Sequence, residues 1–266
     1  MNQPELYPLK FEPIYQYRIW GGRRLQKLLN NPLPPNDPIG EAWILSDRDD
    51  HPSKVTDGPL KGETISALFE HSSDALMGPL AGRFKRFPLL LKFLDCQKVL
   101  SVQVHPSDKL KEYIPAGDSG KTEAWVVLET GNDAIIYAGL RPGTNERTLR
   151  DSLYNNSVAN DLASFTPNTG DSVLIKAGTV HTLGDVVVFE VQENSDVTYR
   201  LYDWDRVDKK TGKPRELQVE QALACIDYSK TTIQPSTPVI QVAERVLCEK
   251  LIADSHFTVW RYTGDT

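Results

Sequence analysis

Turn residues interrupt the apolar runs of this chain at short intervals along most of its length, and that punctuation limits what it can fold into. With 17 Gly and 18 Pro among 266 residues, few stretches run far enough to make a long helix. Strands are predicted at 41–46 (EAWILS), 89–94, 98–104, 123–129 (EAWVVLE), 133–138, 172–176, 186–192 (VVVFEVQ) and 197–203. Many short strands divided by turns point to a β-sandwich or barrel. Apolar residues fall at helical spacing in 64–78, 145–155 and 216–226, so a few helices accompany the strands. The prolines of "QPSTPVIQV" (234–242) mark a linker. Two or three further strands are predicted beyond it. So small a set is marginal alone and must pack on the main body, which divides the chain at 1–233 and 234–266.

The balance of 30 basic against 36 acidic side chains gives a net charge of -6, which argues against nonspecific nucleic-acid binding. A local basic pocket for one small anion is compatible with it. The N-terminal stretch has neither a basic nor an apolar region of secretory type. "FPLLLKFL" (87–94) is too short to span a bilayer and contains Lys92, so no membrane association is expected. Cys96, Cys225 and Cys248 are scattered, with no C-x-x-C spacing. They read as buried thiols of a reducing, cytoplasmic compartment.

Two stretches carry chemistry. In "SVQVHP" (101–106), Ser101, Gln103 and His105 share one face of a strand, and Leu100, Val102 and Val104 share the other. An amide and an imidazole aimed together are either solvent-facing surface or a pair of ligands. In "GDSVLIKAGTVHTLGD" (170–185), a strand leads into a turn at Ala177-Gly178 and then to His181. This resembles the second motif of the cupin superfamily, with Lys176 in place of a Pro and Asp185 in place of a common Asn. By itself, a His after such a turn is more often an ordinary loop histidine. His51, His71 and His256 read as surface, "DRDD" (47–50) as a solvated turn, and "DKKTGKPRE" (208–216) as a mobile basic hairpin.

Taken together, "LLLKFLDCQKVLSVQVHPSDKLKEY", "GKTEAW" and "AGTVHTLGDVVVFEVQENSDVTYRLYDWDR" resemble class I mannose-6-phosphate isomerases, most nearly their short bacterial form. The resemblance runs from "WGGRRL" near Trp20 to about Cys225. It implies a mainly β fold, a cupin-type double-stranded β-helix (jelly-roll) barrel with a few short helices. It also implies that 234–266 is a linker with the first strands of an incomplete C-terminal β domain. Carried over residue by residue, the family's zinc ligands fall on Gln103, His105, Glu123 and His181, one ion per chain. Two imidazoles, a carboxylate and an amide oxygen suit Zn²⁺. With one anionic ligand, such a site stays positive and can polarise a substrate oxygen.

The implied reaction is interconversion of mannose 6-phosphate and fructose 6-phosphate through an enediol, which needs an electrophile, an acid/base group and a phosphate anchor. No Gly-rich phosphate loop is present, so cations must hold the small sugar-phosphate partner. The family's basic residues map to Lys121 and Arg200. Without the family, Arg200 reads equally as a plain strand arginine. Substrate contacts are implied for Glu41, Trp43, Ser101, Lys121 and Arg200. Glu190, Asp196 and Lys121 are the proton-transfer candidates; Glu190 reads alternatively as an outward residue of an edge strand. Two rival functions share the ligand set. One is a non-haem iron cupin oxygenase, against which Gln103 counts because it fills a position that O₂ chemistry needs open. The other is a non-catalytic sugar-binding cupin, which requires neither Lys121 nor Glu190.

Overall fold

The computed structural model describes residues 6–243 and 246–264. Its strands, in chain order, are β1 (Ile14–Gly22), β2 (Ile39–Leu45), β3 (Asp47–Arg48), β4 (His51–Pro52), β5 (Leu89–Cys96), β6 (Val102–Val104), β7 (Glu123–Leu140), β8 (Leu162–Phe165), β9 (Ser172–Ile175), β10 (His181–Glu193) and β11 (Tyr199–Tyr202). Then follow β12 (Val239–Ala243), β13 (Val246–Ala253) and β14 (Thr258–Gly264). The helices are α1 (Leu25–Leu29), α2 (Ile65–Met77), α3 (Glu146–Tyr154) and α4 (Val219–Cys225). A curled antiparallel sheet runs β1-β2-β5-β10-β6-β11, with β7 against β10 and both β8 and β9 against β7. No helix among the described residues is long and apolar enough to cross a membrane.

The interior of the curl is apolar at one end. Trp20, Leu94, Trp125, Val127, Ile136, Val173, Ile175, Leu183, Val186 and Val188 pack together there. Helices α2 and α3 begin where side chains satisfy their free N–H groups. The Thr64 hydroxyl accepts from Ala67 N at 3.1 Å, and Asn145 and Thr148 cap each other reciprocally. β13 and β14 form a separate three-stranded sheet with β12, which rests on the barrel through Leu251, Ile252 and Phe257 against Ala124 and Val191.

Several elements differ from the sequence reading. The runs at 123–129 and 133–138 are one strand, β7. The Thr130-Gly131-Asn132 between them is absorbed in a bulged crossing with β10 rather than a turn. Asp185 takes the left-handed conformation (φ 51°), which Asp tolerates better than most residues. Its carboxylate accepts Asp133 N at 3.0 Å. A Cβ at residue 131 would stand 2.0 Å from that carboxylate, so Gly131 is required there. The strand expected over 98–104 is paired only over Val102–Val104, α4 starts at Val219 rather than 216, and β12 begins inside the stretch read as linker. β1, β8 and α1 were not predicted. β1 hides from an apolar-alternation reading because its inward side chains include Arg18. Cys96 and Cys225 are buried as expected, whereas Cys248 is only half-buried.

Candidate metal centre

The register of the sheet lines up the polar side chains in two rows. On adjacent strands, Trp43 faces Lys92, Lys92 faces Glu190, and Glu190 faces Trp125. A second row runs from Arg200 to Gln103 to His181. Cross-strand neighbours sit about 5 Å apart, so each row forms a contiguous polar strip on the inner wall. Both rows open into one cleft of about 430 Å³.

Glu123, the first residue of β7, is completely buried. His105 Nε2 lies 3.4 Å from one of its oxygens and His181 Nε2 3.3 Å from the other. The other ring nitrogens donate to backbone carbonyls, His105 Nδ1 to Val197 O at 2.8 Å and His181 Nδ1 to Thr179 O at 2.9 Å. This network assigns the tautomer in which each Nε2 presents a lone pair. Ligand-type atoms of His105, Glu123 and His181 all lie within 4.8 Å of one another. His105 Nε2 and both Glu123 oxygens are shielded from solvent without a directed hydrogen bond; Lys121 Nζ makes an ion pair with one of those oxygens at 2.9 Å. Buried acceptors converging without donors are costly, and a divalent cation supplies what they lack. Gln103 Nε2 donates to His181 Nε2 at 3.1 Å. Half a turn of the amide presents its oxygen instead, so Gln103 fits as a fourth donor.

Electrostatics agree with that reading. Burial first, and the Lys121 ammonium next, push His105 down to about 3; burial likewise lowers His181. Both imidazoles are neutral, as metal ligands require. Burial alone would raise Glu123, but the Lys121 ammonium outweighs it and holds the carboxyl well below its ordinary value.

The cleft wall carries further charges. Arg18 forks onto Glu41 at 2.7 and 3.1 Å, and Trp43 Nε1 donates to the same carboxylate at 2.7 Å. Lys92 Nζ stands 3.3 Å from Glu190, whose second oxygen accepts Trp125 Nε1 at 2.9 Å. Burial, then the nearby Glu123 charge, raise the Glu190 pKa. Ser101, Asp196 and Arg200 also line the cleft, and Asp196 is exposed at its mouth. Arg200 donates to Ser101 Oγ at 3.3 Å and to Glu216 O at 2.7 Å.

Of the residues singled out in sequence, Glu41, Ser101, Gln103, Lys121, Glu190, Asp196 and Arg200 line the cleft. Trp43 stands behind Glu41, and His105, Glu123 and His181 form the buried cluster at the floor. Glu190 is buried, not outward on an edge strand. Arg18, Lys92 and Arg215 line the cleft as well and were not anticipated; a single Lys within the apolar run 87–94 was the signal for Lys92. His71 and His256 are exposed, but His51 is half-buried with its ring 5.4 Å from that of Trp43. The 208–216 hairpin is pinned to β1, not free, through Asp208 accepting Tyr17 OH at 3.0 Å and Lys210 lying 3.9 Å over the Tyr17 ring.

Known proteins share this architecture. A family described as "Phosphomannose isomerase type I, catalytic domain" matches residues 8–123. Mannose-6-phosphate isomerase ManA of Bacillus subtilis (strain 168) is 36% identical over 260 residues, 97% of this chain and 80% of its own. A mannose-6-phosphate isomerase of Streptococcus mutans is 32% identical over 96% of this chain and 78% of its own. The crystal structure of the Bacillus subtilis mannose 6-phosphate isomerase matches with a TM-score of 0.88 at 29% identity, covering 97% of this chain and 80% of that one. The barrel is therefore of the cupin kind.

Glu41 gives this wall a pH dependence. Burial raises its pKa, but Arg18, Lys92 and Trp43 together lower it from 4.5 to about 2. A carboxyl depressed in the folded state adds stability above its unfolded pKa and loses it as pH falls through the folded one. Its share, about 3 kcal/mol at most, should vanish between pH 5 and pH 2. Urea unfolding across that range should show a shallower acid loss for Glu41→Gln than for the parent. Identical pH slopes would remove Glu41 from the acid transition.

Proposed function

The chain belongs to the type I phosphomannose isomerase family, and we propose that it is a zinc-dependent aldose–ketose isomerase interconverting mannose 6-phosphate and fructose 6-phosphate. The observation that carries this reading is the convergence of shielded lone pairs from His105, Glu123 and His181 at the floor of a cleft that also holds an unpaired cation. Those three residues and Gln103 would hold the ion, whose chemistry when bound is to polarise the substrate oxygens at the reacting carbons.

Charge sorting along the wall supports the remaining roles. Arg18 is matched by Glu41, Lys92 by Glu190, and Lys121 by Glu123. Arg215 is matched by Asp203. Arg200 has no carboxylate in ion-pair range among the described residues, and burial followed by the Arg215 charge lowers its pKa. An uncompensated guanidinium beside Ser101 suits the substrate phosphate. Glu190 is the base in this reading, since desolvation raises its proton affinity while it still faces the cleft. It takes the proton from C2 of the open-chain aldose and O1 gains one, giving the enediol. Glu190 returns its proton to C1 as O2 loses one, giving the ketose. Lys121 is a poorer base because the Glu123 and Glu190 charges outweigh burial and raise its pKa; it stays an ammonium that steadies negative charge near the ion. Asp196, at the mouth, is left to meet sugar hydroxyls. Residues 1–233 form the catalytic unit in this scheme, and sugar-phosphate chemistry with unpaired thiols suits the cytoplasm.

An assay coupled to fructose 6-phosphate formation tests the reading directly. Turnover of mannose 6-phosphate should disappear on chelation and return with about one equivalent of zinc per chain; turnover that survives complete metal removal would sink it. Recovery with Fe²⁺ and O₂ uptake would favour the oxygenase instead.

Arg200→Ala should cost roughly 2–4 kcal/mol of transition-state stabilisation with mannose 6-phosphate, and much less with unphosphorylated mannose. Equal losses on both sugars would show that Arg200 does not read phosphate.

Glu190→Gln should retain zinc and substrate while kcat falls about 10²–10⁴-fold. Solvent-deuterium incorporation at C2 should fall in parallel. A variant turning over near the parent rate would take Glu190 out of the mechanism.

A further inference from the structure

The polar stretch 47–50, which reads in sequence as a solvated turn, is anchored in the molecule. Asp47 is buried, accepting Phe87 N at 2.7 Å and the Ser66 hydroxyl. β3 and β4 make a small ribbon from which Arg48 reaches between two loops. Arg48 Nη1 and Nη2 each donate to one oxygen of Asp118 at 2.9 Å, and Nη1 also donates to Asn194 O at 3.1 Å. The guanidinium is 22% exposed and the Asp118 carboxylate 10%, so the fork is largely shielded and its geometry is held.

Each loop leads to a different part of the metal centre. Asp118 lies in 106–122, the segment joining His105 to Glu123. Its carboxylate also accepts Ser119 N at 3.0 Å, and Lys121 N donates to Pro106 O at 3.1 Å, closing the segment just before Glu123. Asn194 opens the turn that ends at Val197, whose carbonyl receives His105 Nδ1. That turn is fixed from the same side, because Asn194 Nδ2 donates to Asp47 O at 3.1 Å and Phe87 O at 2.9 Å. Ser195 Oγ ties it to the first loop through Ser119 O at 2.8 Å.

We propose that Arg48 is a positioning residue: by locking the 106–122 segment to the 194–197 turn, it sets the ring orientation of His105 and its separation from Glu123. It touches neither ligand. The inference rests on the reading of His105, Glu123 and His181 as metal ligands. A planar fork serves all three acceptor atoms at once, which an ammonium does not do with the same geometry. Groups that orient ligands from behind typically change metal affinity 10–100-fold when removed.

Zinc affinity measured by chelator competition, together with the His105 tautomer read by ¹⁵N NMR of metal-free protein, tests this. Arg48→Met and Asp118→Asn should each weaken zinc about 10–100-fold. The double variant should be little worse than either, because both break one link. In the metal-free parent His105 should carry its proton on Nδ1, and in Arg48→Met it should become a mixture of tautomers. A pair that merely stabilised the fold would leave that signal alone. Arg48→Lys should recover thermal stability but not affinity. Arg150→Met, which removes the ion pairs to Glu146 and Glu220, should leave affinity unchanged. Zinc affinity within twofold of the parent with an unchanged tautomer would overturn the proposal. If Arg48→Met does not fold, near-isosteric Asp118→Asn decides by the same two readouts. A parent that binds no zinc overturns the metal reading instead, and the tautomer then decides the role of Arg48.

Discussion

A carboxylate with no access to water is the constraint on which this molecule is built. Leaving Glu123 uncompensated in the barrel would cost several kcal/mol, so its surroundings are specified closely. Lys121, two residues earlier, supplies one charge. Two neutral imidazoles, each held by a backbone carbonyl, aim lone pairs at the same point, an arrangement that fits a cation. The rest of the wall follows the same economy of charge. Arg18, Lys92 and Lys121 each face a carboxylate in the cleft, while Arg200 and Asp196 line it without an ion-pair partner among the described residues.

The barrel supplies most of the geometry through the register of its strands. Because neighbouring strands keep register, Trp43, Lys92, Glu190 and Trp125 arrive side by side from four separate strands, and Arg200, Gln103 and His181 from three. Sites carried on paired strands hold their members through the same hydrogen bonds that hold the fold. Loops turn the two imidazoles at Val197 and Thr179 and bring Lys121 to Glu123.

How much of this could be read beforehand depended on the range of each interaction. Gln103 and His105 announce themselves by two-residue alternation within one short strand, and His181 by the turn before it. Glu123 and Lys121 have no local signature beyond "KTEAW" and were reachable only through resemblance to a family. Lys92 was visible as one charge in a greasy run, but its partner Glu190 is on another strand, and only pairing shows that the two meet. Arg18 was missed because the inward side chains of β1 include a guanidinium, which spoils the apolar alternation used to find strands. Arg48 was dismissed because its four-residue neighbourhood is wholly polar. Its partners lie 70 and 146 residues away, beyond any local pattern.

The left-handed Asp185 also sets a phase. Before it, odd-numbered side chains of β10, His181 and Leu183, point into the barrel; after it, even-numbered ones do, through Val186 and Val188 to Glu190. β7 changes step as well, with Trp125 and Val127 inward early and Ala134, Ile136 and Ala138 inward later. Two crossed strands thus switch parity together, and His181 and Glu190 belong to opposite parities of one strand. Removing a single residue at this crossing would leave the floor in place while turning the wall inside out. An odd-length insertion or deletion within β10 would therefore turn Glu190 away from the face of His181 even where the barrel survives it, whereas an even one need not.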